Sequence, residues 1–315
     1  MNLTHLKYIV EVERQGSITK AAAALYMGQP NLSKVIKEME NELGVPIFKR
    51  TAKGVVPTAK GEEFLQYAKA VIVQIEKMEE LYLSDSSERQ SFQLMLPRAS
   101  YITHAVTEFL KKLPHTERMD IKLKETNSLE AINAIIECEY SLAVIRYELH
   151  QEEFFNSLLA EKNLKSRRLL TFDSVVLVSE DSPLARKDRL TDSDLDDMIE
   201  ILHGDTAVPN VSAALQKRST RINTRKRHIY VYERGSQFDI LCTVPDAFMF
   251  VSPMPQTVLD RCRLKQIPYS GESGAHRCRD ALIYQSAYRM TATDKLFLDE
   301  LEQVISEMPC AGAQP

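Results

Sequence analysis

Apolar positions in the first sixty residues recur at helical spacing in three successive segments. Leu3, Leu6, Ile9 and Val10 outline a first helix that Gly16 ends. Ser17 is placed to cap a second, ITKAAAALYM. Its four consecutive alanines stop at Cβ and let a neighbouring helix pack closely across them. Met27-Gly28-Gln29-Pro30 reads as a short turn, with Gly28 tolerating positive φ and Pro30 at the first position of a third helix that ends near Leu43. Leu32, Ile36, Met39 and Leu43 form one apolar stripe along that helix, and its other face is polar. Gly44 and Pro46 stop it, and IFKRTAKGVVPT then predicts two short strands around the turn Thr51-Ala52-Lys53-Gly54.

Thr58 is placed to cap a long helix that reaches Leu83, about 38 Å at the usual rise per residue. Phe64, Ala68, Val71, Ile75, Met78 and Tyr82 step along it by four and three in turn, a coiled-coil rhythm that wants a partner helix. A helix lying on its own domain's core shows the same rhythm over so few heptads. The polar run Ser84 to Gln90 is a plausible hinge. Beyond it the pattern alternates strand-like and helical runs: FQLML, then Tyr101 to Leu113; MDIKL, then Leu129 to Cys138; SLAVI, VVLVS, HIYVYE and AFMFV. Alternation of this kind predicts an α/β architecture with parallel strands and helical crossovers.

Composition adds little until it is divided. A chain of 315 residues, 44% hydrophobic, holds two or three units with cores of their own. Its net charge of -4 splits into +4 for residues 1–60 and -8 for the remainder, so the basic end suits a polyanion. No apolar run of about 18 residues and no signal-like start are present, which predicts a cytoplasmic protein. Cys138, Cys242, Cys262, Cys278 and Cys310 form no CxxC pair, which predicts reduced thiols.

Over residues 3–65 the chain resembles the DNA-binding head of LysR-type transcriptional regulators. The likeness is gap-free and rests on the alanine-rich second helix, Gln29-Pro30, Leu32-Ser33-Lys34, Glu42-Leu43-Gly44, Phe48-Lys49-Arg50 and Thr58-Ala59-Lys60-Gly61. It implies an α+β winged helix-turn-helix head over 1–58 and a linker, or dimerisation, helix with its hinge over 59–87. An α/β two-lobed, periplasmic-binding-protein-like effector domain then fills 88–315, one lobe at about 91–166 and 267–306 and the other at about 167–266. It also implies a transcription regulator whose partners are double-stranded promoter DNA, a small-molecule effector, a second copy through the linker helix, a homotetramer and RNA polymerase. Lys34 stands where the family often has Arg, and Thr51-Ala52-Lys53 replaces a wing usually richer in Arg, so base preference does not carry over.

Candidate DNA contacts are Gln29, Pro30, Asn31, Ser33, Lys34 and Lys37 on the third helix, and Arg50 and Lys53 on the wing. Taken alone, such a face also serves as ordinary solvated surface. Ligands of open α/β sheets bind beyond the carboxyl ends of strands, which singles out Arg98, Ser100, Tyr101, Asn127, Ser128, Arg146, His203, Thr206 and Phe250. Any hydroxyl there is equally a helix cap. Arg98 and Arg146, with His203, suggest an anionic effector, though either arginine can instead pair with Glu125 or face water.

Enzyme motifs are absent: GxSxG, GxGxxG and GxxxxGK[ST] are not found, and His276, Cys278 and Cys262 lack a fourth metal ligand. No cofactor or metal is expected. Lys217, Arg218, Arg221, Arg225, Lys226 and Arg227 form an acid-free basic cluster without an assigned role. The alternative reading is a cytoplasmic solute-binding or enzymatic α/β protein with a helical dimerisation module.

Overall fold

A computed structural model of the chain describes residues 2–51, 54–83, 89–114, 118–204, 227–271 and 277–308. Thr206 and Lys53 lie outside these, as does the basic cluster apart from Arg227. The chain divides into two compact units, residues 1–87 with 133–140, and residues 88–132 with 141–315.

In the first unit, helix α1 (Leu3–Gln15) starts at Asn2, whose side chain accepts from the His5 amide at 2.8 Å. It ends at Gly16 in the left-handed conformation. Ser17 caps α2 (Ile18–Ala24), and α3 (Gln29–Leu43) follows after a tight turn. The turn differs from the expectation. Gly28 sits at φ -71 as the N-cap of α3, and the left-handed residue is Tyr26 at φ 53, with Pro30 one place inside the helix start. Leu32, Ile36 and Met39 are buried as their stripe predicts, whereas Leu43 is exposed at the helix end.

Strands β1 (Phe48–Thr51) and β2 (Gly54–Pro57) pair antiparallel, with Lys49 opposite Val56. Thr58 then caps α4 (Ala59–Leu83) by accepting from the Gly61 amide at 2.9 Å. Gly61 is required by close approach: a Cβ there would lie 1.9 Å from the Ile47 carbonyl oxygen. Leu65 and Ala68 of α4 are buried in the core formed by α1, α2 and α3, and Lys69 pairs with Glu13 at 3.0 Å. The early part of the predicted seam is therefore taken up by the head itself. Val71 and Met78 remain 44% and 52% exposed.

The second unit holds two mixed five-stranded sheets. The first uses β3 (Arg89–Leu96), β4 (Arg118–Glu125), β5 (Leu142–Glu148), β6 (Leu164–Asp173) and β12 (Arg277–Gln285) in the order β4-β3-β5-β12-β6. The second uses β7 (Val175–Ser179), β8 (Ile199–His203), β9 (His228–Val231), β10 (Ala247–Val251) and β11 (Leu264–Ile267) in the order β11-β7-β10-β8-β9. Between strands lie α5 (Ser100–Lys112), α6 (Ser128–Ile136), α7 (Glu152–Glu161), α8 (Asp192–Leu195), α9 (Arg234–Thr243) and α10 (Gln256–Cys262), and α11 (Ala292–Glu307) closes the fold.

Parallel pairs within each sheet run β4-β3-β5 and β10-β8-β9, the pattern that helical crossovers produce. The antiparallel members arise where the chain passes between lobes: β12 returns against β5 and β6, and β7 lies between β10 and β11. The first lobe keeps its strand until Asp173, seven residues beyond the boundary expected at 166, because β6 pairs with β12 along its whole length. Its charged stretch Lys165 to Arg168 is exposed and hides the strand from a search for apolar runs. Arg89 and Gln90, expected in the hinge, already belong to β3.

Phe92, Phe109 and Phe297 pack ring to ring in the first lobe, with centroids 4.9 to 5.8 Å apart. The second lobe packs on Val176, Val178 and Phe248 on one face of its sheet and on Leu177, Leu241 and Met249 on the other.

Candidate functional site

On the head, the polar face of α3 and the wing are held in one arrangement by Glu40. Its Oε1 accepts from the backbone amides of Ile47 and Phe48 at 2.7 and 3.0 Å, tying the body of α3 to the start of β1. Sequence spacing does not single out this residue. Pro30, Asn31, Lys34 and Lys37 are exposed, and Gln29 and Ser33 are half-buried and joined by a 2.8 Å hydrogen bond from the Gln29 amide to the Ser33 hydroxyl. Lys34 also lies 3.8 Å from Glu38. Arg50 is exposed on β1. Tyr26, in the left-handed turn before α3, is 98% exposed. The face offers donors, acceptors and positive charge on a helix anchored by its opposite, apolar side.

In the second unit the expected residues separate into two groups. Tyr101 and Arg146 do not line an open surface. Tyr101 is fully buried, and its hydroxyl donates to Asp280 Oδ2 at 2.5 Å. Arg146 donates from Nε and Nη2 to the two oxygens of Asp280, both at 2.7 Å, and lies 4.8 Å over the Phe172 ring. Burial and the Asp280 charge push the Tyr101 phenol well above its ordinary range. Burial pulls the Arg146 guanidinium down, but Asp280 more than reverses this and leaves it above its ordinary value. Burial also lifts the neighbouring Cys278 thiol to about 12. Arg146 is thus matched charge for charge by an aspartate in β12, a partner not among those weighed from sequence, and its charge gives no reason to expect an anion.

Ser128 and Asn127 serve the backbone. The Ser128 hydroxyl donates to the Arg146 carbonyl at 2.6 Å and accepts from its amide at 3.0 Å, and Asn127 Oδ1 accepts from the Glu130 amide at 3.0 Å. Phe250 packs edge-on against Phe248 and Tyr269 in its own lobe, and His203 ends β8 half-buried.

Ser100 and Arg98 belong to the second group, which bridges the lobes. Arg98 Nη2 donates to the Tyr232 carbonyl at 2.9 Å. From the other side Arg234, the first residue of α9, donates from Nη2 to the Ser100 hydroxyl at 2.7 Å and from Nη1 to the Thr103 hydroxyl at 2.8 Å and to Glu125 Oε1. Its guanidinium lies 5.5 Å from the centre of the Phe238 ring. These groups sit at the carboxyl ends of β3, β4 and β9, where open α/β sheets place their ligands. Sequence spacing has no means of showing the partners of Arg234, which lie 109 to 134 positions away along the chain.

Among the described residues, no group of three or more His, Cys, Asp or Glu is arranged to hold a metal ion, and no helix is long and apolar enough to cross a membrane. Residues 3–62 match the family described as "Bacterial regulatory helix-turn-helix protein, lysR family". The match covers the helix-turn-helix head of the chain. Among curated relatives, the chain is 30% identical over 201 residues to the HTH-type transcriptional regulator AlsR of Bacillus subtilis, a match covering 62% of each chain. It is 29% identical over 199 residues to the Hca operon transcriptional activator HcaR of Escherichia coli, covering 62% of this chain and 63% of that one. The chain thus spans under two thirds of the length of these relatives, which are named as regulators and not as enzymes.

In fold the chain is similar to a full-length OxyR variant from Pseudomonas aeruginosa, with TM-score 0.60, 17% identity and coverage of 100% of this chain and 99% of that one. It is also similar to full-length CbnR, solved in complex with its target DNA, with TM-score 0.55, 14% identity and coverage of 96% and 100%. A winged helix-turn-helix head followed by a two-lobed α/β domain is therefore the architecture of this chain.

Proposed function

We propose that the protein is a sequence-specific DNA-binding transcription regulator of the LysR type, in which a small molecule bound between the two α/β lobes changes how the protein grips promoter DNA. The observation that carries this reading is the exposed polar face of α3, with Lys34 and Lys37, braced through Glu40 against a wing that bears Arg50. A helix of this kind reads base edges, and the wing adds sequence-independent phosphate contacts. The apolar groups left exposed on α4, Val71 and Met78, support a dimer through that helix. A tetramer, RNA polymerase as a partner and a cytoplasmic location complete the reading.

Coupling requires the effector to bind one quaternary arrangement more tightly than another, commonly by about 1 to 3 kcal/mol. The test is a salt titration of binding to random-sequence duplex DNA. Affinity that falls steeply and log-linearly with salt is expected, because displaced counterions accompany each phosphate contact. A chain that binds no duplex at low salt is not a regulator of this kind.

A further inference from the structure

Two arginine–carboxylate pairs of the second unit, one within the first lobe and one between the lobes, differ in a way that separates a structural contact from an exchangeable one. Arg146 meets Asp280 with two parallel hydrogen bonds, and Asp280 is wholly buried, so its carboxylate has no route to water. Arg234 meets Glu125 through one nitrogen and one oxygen only, and the Glu125 side chain is 26% exposed at the end of β4. The same Arg234 is held in place by the hydroxyls of Ser100 and Thr103 and lies over Phe238, so its position does not depend on Glu125 alone. The planar fork of a guanidinium is built to take a carboxylate with two bonds, and the Glu125 contact leaves that capacity unused.

We propose that Arg234 is the residue of the interlobe cleft that recognises a small organic carboxylate, and that Glu125 is an internal stand-in which this ligand displaces. The inference rests on the reading of the second unit as a ligand-binding domain and names the ligand class and the residue that selects it. When the ligand arrives, its carboxylate takes both oxygens to the fork of Arg234, and Ser100 and Thr103 keep the guanidinium aligned. Glu125 rotates toward water, which its exposure at the strand end permits. Glu125 also sets the threshold: a neutral ligand has nothing to offer the fork in exchange, so the site rejects it, and a weak anion fails to displace a carboxylate already in place. Arg98, donating to the Tyr232 carbonyl two residues before Arg234, helps hold the two lobes together around the exchange.

The test uses the full chain without DNA. Ligand-observed NMR is run with acetate, lactate, succinate, citrate and benzoate, and with the matching amides as neutral controls. At least one carboxylate is expected to bind saturably while its amide does not. Glu125→Gln should tighten that affinity on the order of tenfold or more, because a charge-assisted hydrogen bond no longer has to be broken first. Arg234→Gln should abolish it, and Arg234→Lys should weaken it by keeping charge but losing the fork. The gain in Glu125→Gln cannot come from misfolding, and it guards against a loss in Arg234→Gln that merely reflects damage. The proposal is overturned if no carboxylate of the panel binds either the parent or Glu125→Gln, if the amides bind equally, or if Arg234→Gln binds as the parent does. Since duplex DNA is absent, such a failure is separate from any failure of the salt titration.

Discussion

Asp280→Ala should be among the most damaging single changes in the second unit, although Asp280 lies far in sequence from every residue it holds. Asp280 is wholly buried and accepts three hydrogen bonds, from Tyr101 at 2.5 Å and from two nitrogens of Arg146 at 2.7 Å. Breaking a buried ion pair by removing one member costs about 3 to 5 kcal/mol, and stranding a buried hydroxyl costs about 1 to 3 kcal/mol. Arg146 keeps 20% exposure and can recruit water, which favours the lower end of both ranges, about 4 kcal/mol in total. For a domain of this size, about 2 to 4 °C is lost per kcal/mol, so the melting temperature should fall by about 8 to 16 °C. Tyr101→Phe removes one donor and leaves the ion pair intact; it should cost about 1 kcal/mol. Calorimetry of the parent and both variants tests this. A fall below about 3 °C for Asp280→Ala, or equal effects of the two changes, would refute the account of a charge-matched buried network.

On the head, Gln29→Ala or Ser33→Ala should relax base preference at one position of a half-site, whereas Arg50→Ala should weaken all sequences alike; a binding-site selection distinguishes the two outcomes. Replacing Val71 and Ile75 together with aspartate puts charge into the exposed part of the α4 seam, and sedimentation should show a smaller species that no longer binds DNA; an unchanged mass places the dimer contact elsewhere. Cys278, its thiol lifted to about 12 by burial, should resist alkylation in the native protein at neutral pH while exposed Cys242 reacts, as peptide mass mapping would read out. Because the folded-state values of Cys278 and Tyr101 are raised, the stability they contribute is complete below the unfolded thiol value of about 8.5 and is lost as pH rises above it. The urea midpoint should therefore decline from about pH 9 upward, and less so in Cys278→Ala.

Local spacing along the chain encodes a definite share of this molecule. The stripe Leu32-Ile36-Met39, the stops at Gly16 and Gly44, the Ser17 and Thr58 caps and the apolar runs that become β3, β4, β5, β7, β9 and β10 all follow from interactions within a few residues of chain. The turn before α3 departs from the local rule. Glycine is the usual left-handed residue, but here Tyr26 takes that conformation and leaves Gly28 as a plain N-cap. The candidate ligand residues were legible only as positions at strand ends.

The contacts of those residues are set by the folded chain and not by their neighbours in sequence. Arg146 finds Asp280 across 134 positions, Tyr101 finds it across 179, and Arg234 reaches Glu125 and Ser100 across 109 and 134. No periodicity links such pairs, because their meeting depends on the chain leaving the first lobe after β6 and returning as β12. That return strand, RCRDALIYQ, carries charges at Arg279 and Asp280 that make it read as surface. Paired with Glu152 and Arg146, those charges lie inside, since a buried charge is tolerated where an opposite one is hydrogen-bonded to it.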